Sequence, residues 1–376
     1  MRNLAVNLEA IDTLFFRDHR PFTAGEDTYA ESILPSPLTL YGAISSCYLQ
    51  SIGKSLSDFK NNHDEKLGRY SEELKESNLK IKGMFLVKNG KFYLPTPANF
   101  YGYGKDKKEL MLHLAKVQNS KPYEWDIDNT DINPLSIPKI TNKDLEQVNG
   151  FIELDYIKPY FLNNIPRNSV YYTDDFFIYE NRYGNTLSGD LLTVDNLYSA
   201  VHLRFYDEVN RITYSKASIA VIIEGLDEND FTEKTISLGG ERRRARLTLM
   251  DKVPSLTNPD VLTQVKNKKK FFLYLLTPAI FNSGWLPPVI GGAKLVGAAI
   301  NKPQYISGWK RNTDASGSPR PMKKAVPAGS VYFYIADKWT DEQFVNCYKE
   351  YNFNQSLSEI YPAAGFGITI IGFWDY

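Results

Sequence analysis

FFRDHRPFTAGEDTYAESILPSPLTLYGAI, residues 15–44, sets an apolar strand end, a charged glycine-bearing loop and a helix start side by side. Ser36 offers an N-cap oxygen, and Pro37 suits the first helical turn, where its missing N–H would have no partner anyway. Apolar residues recur at Leu38, Tyr41, Ile44 and Tyr48, the spacing of one helical face, which predicts a helix from Ser36 to about Ile52. Residues 3–16 read as a strand leading into the loop. Between strand and helix lie Arg17, Asp18, Arg20, Glu26, Asp27 and Glu31, with Gly25 where a turn or a close backbone approach is expected. Loops of this length are uncommon in packed domains unless they bind something.

Outward from this stretch, Lys54–Asn78 is rich in Lys, Glu, Ser and Asn and reads as a solvated helical or loop insertion of low functional weight. Asn89-Gly90, between KIKGMFLVK and KFYLP, supplies the positive φ angles of a tight hairpin. Lys105–Val117 fits an amphipathic helix. From Gln118 to Val148 periodicity gives way to Pro, Asn and Asp, as in a surface loop or an arm that orders against a partner. Strand-like runs follow at Phe151–Phe161, Phe176–Glu180, Ala200–Tyr206 and Ser218–Gly225. The second half predicts strands at Ile236–Leu238, Lys270–Thr277, Lys294–Ile300 and Ser330–Ala336, a helix at Asp341–Tyr351 and a last strand at Gly367–Trp374. Strand, helix, strand, strand recurs in both halves. An α+β chain of two βαββαβ units with polar insertions is the expected architecture, divided near residue 200 into 1–200 and 201–376.

Composition sets bounds. At ~150 residues per domain, 376 residues suggest two domains. The 44 basic and 44 acidic residues cancel, which argues against a stand-alone nucleic-acid binder. Cys47 and Cys347 form no metal-binding pattern, and no apolar run is long enough to span a bilayer, so a cytoplasmic protein without metal, cofactor or membrane partner is expected.

Local charge is uneven. Gly239-Gly240 precedes Glu241 and three consecutive arginines, Arg242, Arg243 and Arg244. Glycines allow backbone N–H groups to approach a phosphate, and guanidinium groups bind phosphate bidentately or stack on bases. The plainer reading is a surface turn of ion-paired arginines. A second cluster follows Gly291-Gly292: Lys294, Lys302, Lys310, Arg311, Arg320, Lys323 and Lys324 face a single acid, Asp314, with Trp309 among them as either a stacking platform or a core residue. The densest acidic patches, Asp174, Asp175 and Glu180, then Asp227, Glu228, Asp230 and Glu233, are solvated faces or partner-docking surfaces.

Residues 17–26, RDHRPFTAGE, followed by Pro35-Ser36-Pro37-Leu38-Thr39-Leu40-Tyr41-Gly42-Ala43, resemble the N-terminal signature of one RAMP family, the subunit that caps the CRISPR type III-B (Cmr) effector complex at the 5′ end of its guide RNA. The pattern is RD-x-RPF-x-AGE, then P-x-P-x-T-x-x-GA. His19 stands where the family commonly has glycine. The GGE-R element, Gly308-Trp309 with residues 321–332, and the ending Gly365–Gly372 are also similar to the family, so the resemblance spans most of the chain outside its polar insertions. It implies two ferredoxin-like (RRM-like) domains facing each other and a non-catalytic subunit. That subunit would hold the crRNA 5′ tag, dock the large polymerase-like subunit, join other RAMP subunits and meet target RNA indirectly. The RNA-binding residues so expected are Arg17, Arg20, Phe22 and Gly25 in the signature loop, Gly239, Gly240, Arg242, Arg243 and Arg244, and Gly291, Gly292, Lys294, Trp309, Lys310, Lys323 and Lys324.

Nucleotide-binding, zincin and hydrolase signatures are missing, and of the four histidines His63 and His113 lie in polar or amphipathic contexts. No catalytic residue is therefore assigned. The alternatives are a RAMP endoribonuclease that processes the guide precursor and an aromatic-rich binding module unrelated to CRISPR.

Overall fold

Val6, Leu8 and Ala10 of the strand Leu4–Ala10 enter one buried cluster and Ala5 enters another, as the twofold alternation of a strand covered on both sides requires. The structure, a computed structural model, describes residues 3–16, 29–30, 34–75, 77–104, 110–118, 132–141, 143–166, 170–185, 197–205, 217–232, 234–311 and 317–376. Ser218–Glu224 lies beside Leu4–Ala10 and divides its side chains the same way, Ile219, Val221 and Ile223 to one cluster, Ala220 and Ile222 to the other. These strands sit inside an eight-stranded antiparallel sheet. Its order is Val170–Tyr171, Phe151–Glu153, Lys91–Pro95, Lys80–Lys88, Ser218–Glu224, Leu4–Ala10, Arg244–Leu249, Thr235–Ser237.

The helix Pro37–Ser51 covers one face of this sheet, packing Leu40, Ile44, Cys47 and Tyr48 with Val6, Leu8 and Val221. Ser36 caps it, its Oγ accepting from the Thr39 amide at 3.3 Å. Leu4–Ala10 and Lys80–Lys88 run parallel with Ser218–Glu224 in the slot between them, so strand, helix and strand form a split βαβ unit. Lys80–Lys88 then turns into Lys91–Pro95 through Asn89 (φ 53°) and Gly90 (φ 73°), the hairpin expected.

A second antiparallel sheet has the order Lys294–Ala299, Val331–Ile335, Lys270–Leu275, Thr369–Phe373. Here Val331–Ile335, the helix Asp341–Tyr351 and Thr369–Phe373 make another split unit, with Lys270–Leu275 in the slot. This part covers the remaining face of the large sheet, where Phe272, Val331, Phe333 and Ile371 share a cluster with Ala5, Phe85, Ala220 and Ile222. The large sheet takes strands from both sides of residue 200, so a cut there divides it. Among the described residues no helix is long and apolar enough to cross a membrane.

Three elements differ from expectation. Met111–Leu114 is a strand paired with Phe100–Tyr103, not part of a helix, because Leu112 and Leu114 alternate inward; residues 105–109 lie outside the described residues. Phe151–Phe161 is extended only to Glu153 and then helical, which turns Ile157, Tyr160 and Phe161 together into the core. The insertion Lys54–Asn78 is pinned rather than loosely solvated: buried Asp64 accepts from Tyr48 Oη (3.2 Å), Lys54 Nζ (2.9 Å) and the amides of Lys66 and Leu67.

Candidate nucleic-acid interface

The signature loop leaves the chain at Phe16 and returns at Tyr29, and a single strand, Leu197–Arg204, holds both ends. Thr13–Leu14 pairs antiparallel with Leu203 and Arg204, and Tyr29–Ala30 pairs parallel with Ser199 and Ala200, on the edge that Ile178–Asn185 leaves open. Ser199 and Leu203, the partners of Tyr29 and Leu14, lie four residue steps apart on the strand, so the loop is closed over about 13 Å. Arg17, Arg20, Phe22 and Gly25 themselves lie outside the described residues.

The Gly239–Arg243 turn docks on the same loop end. The Gly240 amide donates to the Phe15 carbonyl at 2.8 Å. Gly239 has φ 88°, and a Cβ there would collide with that carbonyl, so glycine is required by both conformation and space. Glu241 (φ 51°) and Arg242 (φ 54°) follow in the left-handed region, and the Arg243 amide closes the turn on the Gly240 carbonyl at 3.1 Å. Two consecutive left-handed residues make a type I′ hairpin turn, which Asn-Gly would form without strain. A Glu-Arg pair costs ~1–2 kcal/mol at each position. Strain of this kind is retained where neighbours over-determine it.

The neighbours are an alternating ion cluster. Asp12 lies 3.0 Å from Arg182, 3.2 Å from Arg204 and 3.2 Å from Arg243; Glu180 pairs with Arg182 at 2.8 Å and with Arg204; Glu241 lies 3.4 Å from Arg243. Three carboxylates and three guanidiniums tie the strand pair Ile178–Asn185 and Leu197–Arg204 to the turn. Burial pushes the Asp12 carboxyl up, but hydrogen bonds from Arg182 and the Thr13 amide, with the Arg182 and Arg204 charges, bring it below its ordinary value. Hydrogen bonds from Arg204 and then Arg182 hold Glu180 low against its burial.

His202 sits beneath the cluster, fully buried, its ring stacked on Phe15 at 4.9 Å and its Nδ1 3.0 Å from Thr13 Oγ1. Its Nε2 is 3.2 Å from Glu241 Oε2 but makes no hydrogen bond. Burial pushes its pKa down; Glu241 opposes this, while Arg243 and Arg182 add to it, and the net direction is below 6.5. A depressed folded-state pKa means that the stability drawn from the neutral ring is complete above pH 6.5 and is lost as pH falls through the folded value. Asp12 and Glu180 act in the same direction at lower pH. The thermal midpoint is therefore expected to fall between pH 7.5 and pH 5.5, and to fall less in His202→Phe, which keeps the stack and removes the titration. An equal fall in both proteins would contradict this assignment.

Only after Arg243 does the chain become a strand. Arg244 and Arg246 are exposed on one face of Arg244–Leu249 while Ala245 and Leu247 are buried on the other. Arg242 lies outside that face because it occupies the turn. Arg246 lies opposite Glu9, and Thr248 opposite Asn7. These positions alternate with the helix-facing Val6, Leu8 and Ala10, so the arginines are on the sheet face that the second sheet covers farther along. Among the described residues neither Arg242, Arg244 nor Arg246 has an ion-pair partner, unlike Arg243. Sequence reasoning missed Arg246, although RARLTL carries the alternation that reveals it.

The remaining expected positions are spread over two regions. Gly291 and Gly292 turn with φ 50° and 80°, and the Gly291 carbonyl accepts from Trp339 Nε1 at 2.8 Å, so the first glycine serves Trp339 packing. Lys294 opens the edge strand of the second sheet. Trp309 is 62% exposed and is no core residue. Lys310 pairs with Glu72, and Lys323 and Lys324 lie on the strand Lys323–Ala325, which packs on the helix side of the large sheet through Ala325 and, from its partner strand, Ile306. The acidic patch at 227–230 is partly neutralised, Lys66 bonding Asp227 at 2.9 Å and Asp230 at 2.6 Å. Among the described residues, no three His, Cys, Asp or Glu side chains are grouped to hold a metal ion.

A family model described as CRISPR-associated protein (Cas_Cmr3) matches residues 6–374. No curated protein matches the chain. Among solved structures, it is similar to a chain in the cryo-EM structure of the type III-B Cmr-beta bound to cognate target RNA, and to one in the structure bound to cognate target RNA and AMPPnP, state 1. In each case identity is 17%, the TM-score is 0.48, and the match covers 88% of this chain and 86% of that chain.

Proposed function

Because the chain belongs to the Cas_Cmr3 family of CRISPR-associated proteins, we propose that it is a non-catalytic, crRNA-binding subunit of a type III-B effector complex. In this reading it holds the 5′ tag of the guide and docks the large polymerase-like subunit. The observation that carries the reading is the docking of the Gly239–Arg243 turn on Phe15, which sets exposed Arg242 beside the mouth of the signature loop, with Arg244 and Arg246 following on the exposed face of the next strand. Each sheet contains a split βαβ unit with a strand in its slot, which supports two ferredoxin-like domains. The pairing of Leu4–Ala10 with Arg244–Leu249 favours a division after Leu249 over one at residue 200.

A single-stranded tag is recognised by splayed bases, stacking and backbone contacts. Arg244 and Arg246 suit the backbone, since both leave one strand face in the same direction. In the assembled complex, Arg244→Ala and Arg246→Ala are each expected to weaken guide binding for any tag sequence. Each should flatten the log-log salt slope by about 0.7, the loss of one phosphate contact. Should one of them contact a base instead, its loss would cost ~1–3 kcal/mol and relax preference at one tag position. Titration at several salt concentrations separates the two, and parental affinity in both variants would refute the placement.

A further inference from the structure

The basic hairpin formed by Gln304–Ile306 and Lys323–Ala325 is not open to solvent along its whole length. A groove of about 550 Å³ runs between it and the Lys54–Asn78 insertion, and Lys310, Arg320 and Lys323 on one wall face Glu72, Glu73 and Lys75 on the other. The Glu72 carboxylate pairs with Lys310, and the Glu72 carbonyl accepts from Arg320 Nη1 at 3.3 Å. Glu73 is 2.6 Å from Lys75, and both Lys75 and, at longer range, Lys323 hold its carboxyl below the ordinary value. The acids thus stand where an anionic ligand of the hairpin would stand.

The two walls differ in how firmly they are held. Ile306 and Ala325 anchor the hairpin in the core, while residues 71–75 form an irregular segment between the pinned Asp64–Leu67 turn and Ser77, whose Oγ donates to the Leu67 carbonyl at 3.1 Å. Glu72 and Glu73 are at least half exposed, and ion pairs in such positions are weak and readily exchanged. A polyanion that offers several phosphates at once can displace them.

We infer that this groove is a second phosphate-binding site for single-stranded RNA, masked in the free chain by the Glu72 and Glu73 carboxylates. The inference rests on the RNA-binding reading above but concerns another surface, on the helix side of the large sheet, with Arg244 and Arg246 on the opposite face. Displacement exchanges the Glu72 carboxylate for a phosphate on Lys310, moves the Glu73 charge away from Lys323 and lets phosphate reach Arg320, and it requires no chemical step.

The test uses the full chain and a fluorescein-labelled oligouridylate, which lacks the tag sequence. Glu72→Gln with Glu73→Gln is expected to bind it roughly fivefold more tightly, with a salt slope steeper by about 0.7 for each cation freed. The gain should vanish when Lys310→Ala and Lys323→Ala are added. It should also be absent from Glu228→Gln with Glu342→Gln, which removes the same charge from exposed sites elsewhere. No gain, an equal gain in that control, or a gain that survives loss of the lysines would overturn the inference. A gain in this assay together with parental guide binding by Arg244→Ala and Arg246→Ala would leave the groove standing and remove the tag reading.

Discussion

Gly239→Val is expected to destabilise the protein by about 2 to 4 kcal/mol and to reduce guide retention in the assembled complex at least tenfold, the estimates following from left-handed strain, one lost hydrogen bond and misplaced arginines. A β-branched residue at φ 88° is a steric outlier in its own right. Its Cβ would also strike the Phe15 carbonyl that accepts the Gly240 amide, and the Phe16 ring lies 3.0 Å from the same point. The turn must then leave its seat, and Arg242 to Arg246 move with it. Gly240→Ala is the comparison: its φ is ordinary, its nearest obstacle is the Phe15 ring at 3.0 Å, and a small ring shift relieves it. Urea unfolding and filter-bound guide measured together would show the effect, and a Gly239→Val protein of parental stability would contradict the geometry.

The second large effect lies in the core between the two sheets. Phe272 is 1% exposed and meets Tyr160 at 4.9 Å, Phe161 at 6.3 Å and Phe333 at 5.9 Å, with its ring lying against Gly372. Tyr160 and Phe161 come from the helical turn after Phe151–Glu153, so this ring joins an insertion of the large sheet to the second sheet. Phe272→Ala is expected to cost about 3 to 5 kcal/mol, the transfer of a large aromatic group plus the cavity it leaves. The loss should appear as a lower urea midpoint, and a change under about 1 kcal/mol would mean that Gly372 and its neighbours collapse into the space.

What could be seen in the sequence follows from the range over which each signal acts. Ser36-Pro37, Asn89-Gly90 and Thr340 with Gln343 are local, and each sits where local chemistry puts it: a cap, a turn, a capping box. The helix Pro259–Lys268 carried equally local cues that sequence reasoning passed over. Asn258 caps the Asp260 amide at 2.9 Å, Pro259 occupies the first turn, and Lys266 and Lys268 the last. Met111–Leu114 failed for a different reason, because four residues with two inward leucines fit helical and strand periods alike until Phe100–Tyr103 is placed beside them.

The candidate site was legible only in its parts. Gly239 and Gly240 announced a turn, but nothing local says that the turn closes on Phe15 or that Arg243 is taken by Asp12 and Glu241 while its neighbours are not. His202, Arg182 and Arg204 gave no signal, and Glu180 read only as part of an acidic patch, because Thr13 and Asp12, which join them to the turn, lie more than a hundred residues away. The basic strip misled in the opposite sense. Counted along the chain it faces one acid, whereas in space Glu72 and Glu73 stand across from it.

The proposed function requires this chain to hold the crRNA 5′ tag without cutting it. The most direct measurement assembles the complex on guides that carry a photoreactive nucleotide at each tag position in turn, then maps the crosslinked peptide and the guide length. Crosslinks are expected from the tag to peptides spanning 239–250 and to the signature loop, with the guide recovered at its input length. Tag crosslinks confined to another subunit, or a guide shortened by the isolated chain, would contradict it.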